Sequence, residues 1–428
     1  MDYLKNLINK KLLILGGNPE TGSLVNVANS LGIQTIVADP NPKSPAKEFA
    51  KNYYNVDGFD IPRLKKISMK EKVDGVLVGV ADILVKPYYE LCKALRLPCY
   101  ANNSIIKAFS SKDGFSKICK NYNIKTTPSY VLDNDFKKQD LNNIKYPVMV
   151  KPVDNGGGVG MSICLNEKEL FSGVKNSIYY SRKKLFQVEK YMQCDDIVAY
   201  YTFQDGEIFL SAIADRIKTK KQGSSSPVCL ASVYPSKHCE DYINITNPLM
   251  INMFKSIGIS NGVLAIQFFV EDENFYAYDP GFRLQGEAMH IYINEINGFD
   301  HRKMLINFAL TGSMGIKNLA KKNDFLFNGM KCCTLWILLK EGIIKNIYGI
   351  KNLKEDSSVI FIIQRFKIGD RVTKNMVGNE KQVLARIYII SETKKGLVSK
   401  INSIQKKISV IDVDGNEMVV DSLDTELI

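Results

Sequence analysis

A lysine followed by a run of glycines is the strongest chemical signal in this sequence. Tyr146 to Lys151 is predicted to be a strand, and the segment Asp154-Asn-Gly-Gly-Gly-Val-Gly160 follows it. Glycines let backbone N–H groups approach oxygen anions closely, and the lysine supplies positive charge. The pattern therefore predicts a polyphosphate site, although a merely flexible loop would explain the same glycines. It is not a Walker-type loop, because no Gly-Lys-Ser/Thr follows.

A second segment carries groups suited to a nucleoside. A strand is predicted from Leu185 to Tyr191. It stops in the segment Phe186-Gln-Val-Glu-Lys-Tyr-Met192, which can offer backbone N–H and C=O groups to an adenine edge. Asp196 follows, placed to accept hydrogen bonds from ribose hydroxyls. Taken alone, an edge strand and a solvated acidic turn explain these residues equally well.

A third segment predicts a metal site. Gln267 and Asp279 lie on two predicted strands joined by the acidic hairpin Glu271-Asp-Glu-Asn274. Facing strands can bring two oxygen ligands near one Mg²⁺, which prefers oxygen. Arg283 comes next and can bind a phosphate by a bidentate fork. The alternative is a surface ion pair between Asp279 and Arg283.

Three stretches of different pattern must position these residues. Residues 1–105 alternate strands and helices, which predicts a doubly wound parallel sheet. Residues 106–330 contain hairpins such as the turn Gln204-Asp-Gly-Glu207. That they form a two-lobed clamp is implied by the family resemblance given below. Residues 331–428 are predicted to be an antiparallel β-rich unit, with short strands at 334–339, 359–364, 386–390 and 408–413.

The N-terminal stretch leaves a dinucleotide site open as an alternative. Gly16-Gly17 follows the strand at residues 11–15, and Asp39 ends the next strand. The required Gly-x-Gly-x-x-Gly is absent, since the glycines fall at positions 16, 17 and 22. NAD binding is therefore disfavoured, and Asp39 is predicted to be a turn residue before Pro40.

Composition limits the class of protein. The 9 cysteines include no CxxC pair, which argues against a disulfide framework or a structural zinc site. No apolar run approaches the ~20 residues of a membrane span, so a cytoplasmic protein is expected. The net charge of +12 raises a nucleic-acid partner as an alternative. The densest basic run, Lys218-Thr-Lys-Lys221, is short and lacks interleaved aromatics, so attraction of anionic nucleotides or plain solubility is favoured.

The order and spacing of these segments resemble the ATP-grasp superfamily, and within it the carbamoyl-phosphate synthase and biotin carboxylase branch. The resemblance covers nearly the whole chain. It implies an N-terminal α/β domain at 1–105, a nucleotide-binding and catalytic domain at 106–330, and a C-terminal β-rich domain at 331–428. It also implies ATP and Mg²⁺, with Mn²⁺ as a substitute, and small-molecule carboxylate and amine substrates. A homodimer is left open.

The resemblance also implies a role for each matching residue. Lys112 and Lys151 match the two nucleotide-binding lysines, and Lys151 and Arg283 match catalytic residues that contact the transferred phosphate. Gln267 and Asp279 match the metal ligands. The remaining matches bind ATP: the loop glycines Gly156, Gly157, Gly158 and Gly160, the adenine-contacting Glu189, Lys190 and Met192, and the ribose-binding Asp196.

The sequence departs from the family pattern at two positions. The usual Glu-x-Asn-Pro-Arg reads Asp279-Pro-Gly-Phe-Arg283, so Gly281 stands where the family has a metal-binding asparagine. Glu287 is a candidate replacement ligand, although a surface glutamate is the favoured interpretation. The predicted reaction is ATP-dependent activation of a carboxylate for attack by an amine. A nucleotide-binding module without turnover and a bicarbonate-activating carboxylase or carbamoyl-transfer enzyme are the alternatives.

Overall fold

The N-terminal part is a four-stranded parallel sheet. The computed structural model describes residues 4, 6–132, 138–153, 159–219, 227–420 and 422–428. The first sheet has the order β3-β2-β1-β4. Its elements are β1 (Lys11–Leu15), α1 (Pro19–Ser30), β2 (Gln34–Ala38), β3 (Asn52–Tyr54), α2 (Ile61–Glu71), β4 (Gly75–Val78) and α3 (Val85–Leu95). The predicted alternation of strands and helices is confirmed.

Helix α1 begins soon after the glycine pair of the first loop. Its first helical residue is Pro19, so Gly22 lies within the helix. Proline suits this position because its φ is already helical and its missing N–H leaves no bond unmade. Glu20 is thereby placed in the first turn of α1 and is buried.

The small lobe of the clamp is a separate antiparallel sheet with the order β5-β8-β6-β7. Its core is formed by residues such as Val148, Val150, Leu170 and Val188, and it is distinct from the main core. The elements of the small lobe are β5 (Ser129–Tyr130), α6 (Lys138–Asn142), β6 (Val148–Pro152), β7 (Ser162–Cys164), α7 (Glu167–Tyr180) and β8 (Phe186–Lys190). The two helices that precede it, α4 (Asn103–Phe109) and α5 (Lys112–Asn121), pack in the main core.

The large lobe is built on the hairpins that the sequence predicted. Strands β9 and β10 pair through Gln204 and Glu207, and β12 and β13 pair through Glu271 and Asn274. The elements are β9 (Asp195–Gln204), β10 (Glu207–Lys218), β11 (Cys229–Tyr234), α8 (Cys239–Asp241), α9 (Asn247–Ile257), β12 (Gly262–Glu271), β13 (Asn274–Gly281), α10 (His290–Tyr292), α11 (His301–Thr311) and α12 (Leu319–Lys322).

The N-terminal sheet and the large lobe share one hydrophobic core. Helix α11 packs directly on β4. A Cβ at Gly75 would lie 2.3 Å from the carbonyl oxygen of Ala309, so this strand and helix meet backbone to backbone. The close packing fixes the N-terminal part against the floor of the clamp.

The C-terminal part continues the sheet of the large lobe. Strand β14 pairs with β11, and the nine-stranded sheet runs β13-β12-β9-β10-β11-β14-β18-β16, with β20 beside β14. The predicted boundary at residue 331 is thus the first residue of an interior strand. The elements are β14 (Lys331–Leu339), β15 (Gly342–Tyr348), β16 (Val359–Gln364), β17 (Arg371–Val372), β18 (Val383–Ser391), α13 (Lys394–Lys407), β19 (Ser409–Asp412) and β20 (Val419–Val420).

The molecule as a whole is a mixed α/β fold, as the sequence predicted. It combines a parallel sheet, a large antiparallel sheet and two smaller sheets, the second small one having the order β17-β15-β19. None of the helices in the described ranges has the length and apolar character needed to cross a membrane.

Candidate active site

Lys151 and Glu189 form a buried ion pair between neighbouring strands of the small lobe. Strands β6 and β8 are antiparallel, with Met149 opposite Glu189 and Lys151 opposite Gln187. The side chains of Lys151 and Glu189 therefore share one face of the sheet. Lys151 is 4% exposed and Glu189 7%, and the lysine ammonium bonds the carboxylate. Lys151, predicted to bind phosphate, and Glu189, predicted to contact adenine, thus lie side by side.

Glu189 also lines a pocket between the two lobes. The pocket is bounded by Lys112 from α5, Gln187 and Glu189 from β8, and Ala277 and Tyr278 from β13. We call it the nucleotide pocket. Lys112 is the first residue of α5, and the preceding Ser111 caps this helix by accepting from the Gly114 N–H at 3.1 Å. The cap fixes the direction in which Lys112 enters the pocket.

The hinge after β8 is tied to both lobes. The Lys190 ammonium bonds the Glu271 carboxylate at 2.8 Å, and this hydrogen bond is the main cause of the raised pKa of Lys190. The Lys190 N–H donates to the Pro128 carbonyl at 2.8 Å, and the Tyr191 N–H donates to the Pro147 carbonyl at 3.1 Å. Met192 is buried. These backbone donors are thus engaged within the protein.

The floor of the cleft is organised around Arg216, which the sequence did not single out. Arg216 Nη1 lies 2.9 Å from Gln267 Oε1, 3.1 Å from the Tyr278 hydroxyl and 3.4 Å from Asp196 Oδ1. Its Nε and Nη2 donate to Glu287 Oε1 at 3.1 and 2.9 Å. These five residues are the cleft floor. Burial acts to lower the pKa of Arg216, but Glu287 and Asp196 raise it well above its usual value.

Asp196, the predicted ribose ligand, is buried within the cleft floor. Its Oδ2 accepts from the Tyr278 hydroxyl at 2.9 Å and forms an ion pair with Lys218. The residue is only 4% exposed. A ribose contact at Asp196 therefore requires one of these partners to give way, and the predicted role stays a prediction.

Glu287 is not the surface glutamate that the sequence favoured. Its side chain is 12% exposed. It accepts from Tyr200 at 2.8 Å and from Ser232 at 3.2 Å, in addition to Arg216. Burial acts to raise the pKa of Glu287, but Arg216 and the Tyr200 hydrogen bond hold it below its usual value. The interpretation failed because the loop after β13 folds back over β9 and β11, which one sequence cannot show.

The predicted metal ligands lie side by side on β12 and β13. Gln267 and Asp279 are direct register partners. Asp279 is exposed, and within the described ranges its carboxylate has no hydrogen-bond or ion-pair partner. Two adjacent oxygen donors fit part of the coordination sphere of one Mg²⁺, which keeps water and phosphate oxygens as its other ligands. The described residues contain no cluster of three or more His, Cys, Asp or Glu side chains suited to a metal.

Gly281, at the family's asparagine position, makes room for a side chain from the N-terminal part. A Cβ there would lie 2.9 Å from Asp82 Oδ1 and 3.0 Å from Gln285 Nε2. Asp82 begins the 3₁₀ turn Asp82–Leu84. The space that an asparagine side chain would occupy is therefore filled by the side chains of Asp82 and Gln285.

Arg283 pairs with Asp82, and the alternative Asp279–Arg283 surface pair is not found. Its guanidinium bonds the Asp82 carboxylate and donates to the Leu284 carbonyl at 3.0 Å. Its Nε is buried and has no partner within the described ranges. The Asp82 side chain is 52% exposed, but desolvation by the surrounding protein still raises its pKa; Arg283 lowers this pKa and nearby Asp279 raises it. Arg283 thus has one donor group uncommitted.

A second set of arginines joins the C-terminal part to the N-terminal part. Glu20 Oε1 accepts from Arg386 Nη1 at 2.6 Å and from Arg365 Nε at 2.9 Å. Arg386 is 1% exposed, bonds the Gly286 carbonyl and stacks 4.2 Å from the centre of the Trp336 ring. Burial acts to raise the pKa of Glu20, but the two arginines hold it below its usual value. The interdomain network comprises Glu20, Asp82, Arg283, Arg365 and Arg386.

The glycine loop predicted to close over phosphates is only partly described. Gly156, Gly157 and Gly158 lie outside the described residues, as do residues 220–226 of the polar stretch around Lys218. Gly160 has φ +77°, and a Cβ there would lie 2.7 Å from Tyr180 Cβ. Both facts require glycine at position 160.

The first glycine loop of the chain packs against Ser44. A Cβ at Gly17 would lie 2.2 Å from Ser44 Oγ, so Ser44 fills the space above the glycine. Asp39 accepts from the Asn41 N–H at 2.9 Å, as a turn residue does. The turn interpretation of Asp39 is the one that the geometry fits.

The site combines a two-lobed clamp, a pocket between the lobes that contains Lys112 and Glu189, and two oxygen-bearing side chains on adjacent strands. Residues 111–314 match the family model described as "Carbamoyl-phosphate synthase L chain, ATP binding domain". These residues form an ATP-grasp domain, and the predicted resemblance is confirmed.

Individual proteins show the same likeness. A formate-dependent phosphoribosylglycinamide formyltransferase from Sulfurisphaera tokodaii is 28% identical over 199 residues, which are 46% of this chain and 50% of the relative. This chain thus matches about half the length of that relative. An L-amino acid ligase from Bacillus licheniformis has a TM-score of 0.75 at 15% identity, covering 95% of this chain and 99% of the other. The biotin carboxylase domain of Hydrogenobacter thermophilus 2-oxoglutarate carboxylase, solved with MgADP and bicarbonate, has a TM-score of 0.74 at 16% identity, covering 96% and 91%.

Proposed function

We propose that the protein is an ATP- and Mg²⁺-dependent ligase that activates a carboxylate for attack by an amine. The observation that carries the proposal is the meeting of two predicted groups in one cleft. Lys112 and the Lys151–Glu189 pair lie at the nucleotide pocket, and the Gln267–Asp279 pair lies on the strands that bound it. The names of the relatives agree, because they include a formate-dependent formyltransferase and an amino acid ligase.

The reaction has two balanced steps. A carboxylate oxygen attacks the γ-phosphorus of ATP and the bond to the β-phosphate oxygen breaks, giving an acyl phosphate and ADP. The amine nitrogen then attacks the acyl carbon, phosphate leaves with its electron pair, and the nitrogen loses a proton. No enzyme nucleophile is needed, so catalysis consists of positioning and neutralising charge.

We assign a different role in this reaction to each group of residues in the cleft. Lys112, Lys151 and the loop glycines named in the sequence analysis are assigned to the phosphates. Glu189, Lys190 and Met192 are assigned to the adenine. Arg283 donates to the acyl phosphate as charge develops. The ribose is assigned to Asp196, which must exchange a partner to reach it.

The metal is assigned to Gln267 and Asp279. Bound there, Mg²⁺ or its substitute Mn²⁺ would neutralise charge on the phosphates. The protein's part is to hold two oxygen atoms on adjacent strands, where the ladder fixes their separation. Asp279→Asn should weaken the metal and lower turnover several-fold, and extra Mg²⁺ should restore part of it.

The carboxylate and the amine are left as classes. Activation of bicarbonate is a second candidate, supported by the likeness to a biotin carboxylase domain solved with bicarbonate. A homodimer is also proposed as an assembly, which sedimentation velocity would test directly.

Measurement of ADP release across pooled carboxylates and amines tests the proposal. We expect release only when a carboxylate and an amine are both present, with amide formation detected by mass spectrometry. Bicarbonate alone eliciting ADP release would favour the second candidate. ATP binding without ADP release from any pool would favour a nucleotide-binding module without turnover.

A further inference from the structure

Arg283 is held by three groups of the protein and keeps one buried donor unpaired. Its Nη1 donates to the Leu284 carbonyl at 3.0 Å and to Gln285 Oε1. Its Nη2 bonds the carboxylate of Asp82, whereas its buried Nε has no partner within the described ranges. A guanidinium has five N–H donors, and the two on Nη1 match the two acceptors found there. The donor left for another group is therefore the one on Nε.

Gln285 closes the loop that carries this arginine. Its Nε2 donates to the Gly281 carbonyl at 2.6 Å and to the Arg283 carbonyl at 2.9 Å. Its Oε1 accepts from the Arg283 guanidinium at the same time. One half-buried amide thus bonds both the main chain and the side chain of Arg283. Such a set of bonds fixes the direction of the guanidinium relative to its own backbone.

The main chain beside Arg283 is anchored by packing. The neighbouring Phe282 is buried, and its ring lies 5.5 Å from that of Tyr100, 6.1 Å from Phe109 and 6.2 Å from Phe203. Aromatic rings packed in this way hold one arrangement in the core. Because the backbone is held by Phe282, the contacts of the side chain decide where the guanidinium of Arg283 lies.

The two side chains that hold the guanidinium differ in their dependence on solvent and on the rest of the chain. Asp82 is 52% exposed and comes from the N-terminal part. Water screens an ion pair with such an exposed partner, so the pair constrains the geometry only weakly. Gln285 lies in the same loop as Arg283 and holds it wherever that loop goes. Gln285 is therefore the contact that sets the orientation.

We infer that Gln285 is a positioning residue that acts through Arg283. This inference rests on the proposed function, in which Arg283 donates to the acyl phosphate. A buried N–H without a partner is unfavourable, and a bound oxyanion would supply the missing acceptor. By occupying Nη1, Gln285 leaves the Nε donor for that oxyanion. A displacement of the guanidinium by about 1 Å can lower turnover by as much as about 10²-fold.

Gln285→Met tests the inference, because it removes the amide and keeps an unbranched side chain of similar length. We expect turnover to fall by about 10-fold and the KM for ATP to stay within about 3-fold, since the lost alignment matters only as the acyl phosphate forms. ADP release would be measured with formate, bicarbonate and the standard amino acids as the carboxylates and amines.

Gln405→Met is the matched control. Gln405 is also half-buried, and its amide bonds the Leu423 carbonyl at 3.1 Å and the Leu423 N–H at 2.6 Å, outside the cleft. Its loss removes a comparable clip on the main chain and should leave turnover unchanged. Equal turnover in Gln285→Met and Gln405→Met would overturn the inference.

Combining Gln285→Met with Arg283→Ala separates positioning from a general structural role. If Gln285 acts only through Arg283, the double variant should turn over within about 2-fold of Arg283→Ala alone. Losses that multiply would show that Gln285 acts independently and would overturn the inference. If circular dichroism shows that Gln285→Met does not fold, Gln285→Asn carries the same cycle. It withdraws the amide by one methylene and should lower turnover by about 5-fold.

The same measurements distinguish failure of the inference from failure of the proposed function. Absence of ADP release from the unmodified protein with every carboxylate and amine would overturn both. Normal turnover in Arg283→Ala would overturn the assignment of Arg283 and the inference, and it would leave the ligase proposal standing. Normal turnover in Gln285→Met, with Arg283→Ala impaired, would overturn the inference alone.

Discussion

The nucleotide pocket and the interdomain network hold their charges in different ways. In the pocket, Lys151 pairs with Glu189, which lies 38 residues away on the neighbouring strand of the same lobe. In the network, Asp82 reaches Arg283 across 201 residues and Glu20 reaches Arg386 across 366. The first pair is local to one lobe, whereas the second set ties three parts of the chain together. Loss of charge should therefore impair binding in the pocket, and stability or turnover in the network.

The largest effect on stability is expected at Arg386. Arg386→Met should lower the free energy of unfolding by about 3–5 kcal/mol, because Glu20 would remain buried without one of its two arginines. Urea unfolding followed by circular dichroism measures this. Lys345→Met, an exposed position on β15, is the control and should change it by less than about 0.5 kcal/mol. Equal effects of the two substitutions would show that the network does not hold the parts together.

The largest effect on turnover is expected at Arg283. Arg283→Ala should lower turnover by about 10²-fold or more and leave ATP affinity within a few-fold, because the guanidinium faces charge that develops during transfer. ADP release and calorimetry measure the two quantities. Asp82→Asn is the informative partner variant, since it removes the ion pair but keeps the arginine. If Arg283→Ala turns over like the unmodified protein, the catalytic assignment is wrong.

In the nucleotide pocket, the expected effect is on binding. Lys151→Met should weaken ATP binding by about 10-fold or more, since it removes a charge-assisted bond from the bound complex. It also leaves the Glu189 carboxylate buried and unpaired, which destabilises the lobe. The double variant Lys151→Met with Glu189→Gln should recover much of the stability but not the binding. Recovery of both would mean that the pair is purely structural.

The partly exposed ion pair between Asp356 and Lys400 should have the smallest effect on stability, and that effect should depend on pH. The hydrogen bond from Lys400 is the main cause that lowers the pKa of Asp356 from 3.8 to about 2. The pair's contribution is full above pH 3.8 and is lost as pH falls through about 2. Because the Lys400 side chain is 34% exposed, Asp356→Asn should cost only about 1 kcal/mol or less at pH 7. Urea unfolding at pH 7 and at a pH well below 2 checks this, and a difference that is as large at the lower pH as at pH 7 would contradict it.

Much of the fold was predictable because it follows local periodicity. The N-terminal alternation and both hairpins of the large lobe were read from the sequence. Helix α13 was missed, although Leu397, Ile401 and Ile404 recur at helical spacing behind the N-cap Thr393. The pairing of β11 with β14 was not predicted either, because neither strand carries a sequence pattern that identifies its distant partner.

The candidate site was predictable where its residues form a motif in chain order. Lys112, Lys151, Glu189, Gln267, Asp279 and Arg283 could be named from spacing and resemblance, and their roles stay predictions. Arg216 could have been found as a charged residue near the end of β10, because the register of the predicted hairpin with β9 sets it opposite Asp196. Asp82 carried no such signal, and Glu287 was named only as a candidate metal ligand.

The sequence by itself predicted most of the strands and helices, the order of the candidate site residues and the resemblance to the ATP-grasp superfamily. These depend on propensity, periodicity and spacing, which are properties of short segments. Only the tertiary structure decided which charges neutralise each other. It showed that Asp82 fills the space left by Gly281, that Glu287 binds Arg216, and that Glu20 holds Arg386. Such pairings arise when burial brings distant segments together and each desolvated charge must find a partner.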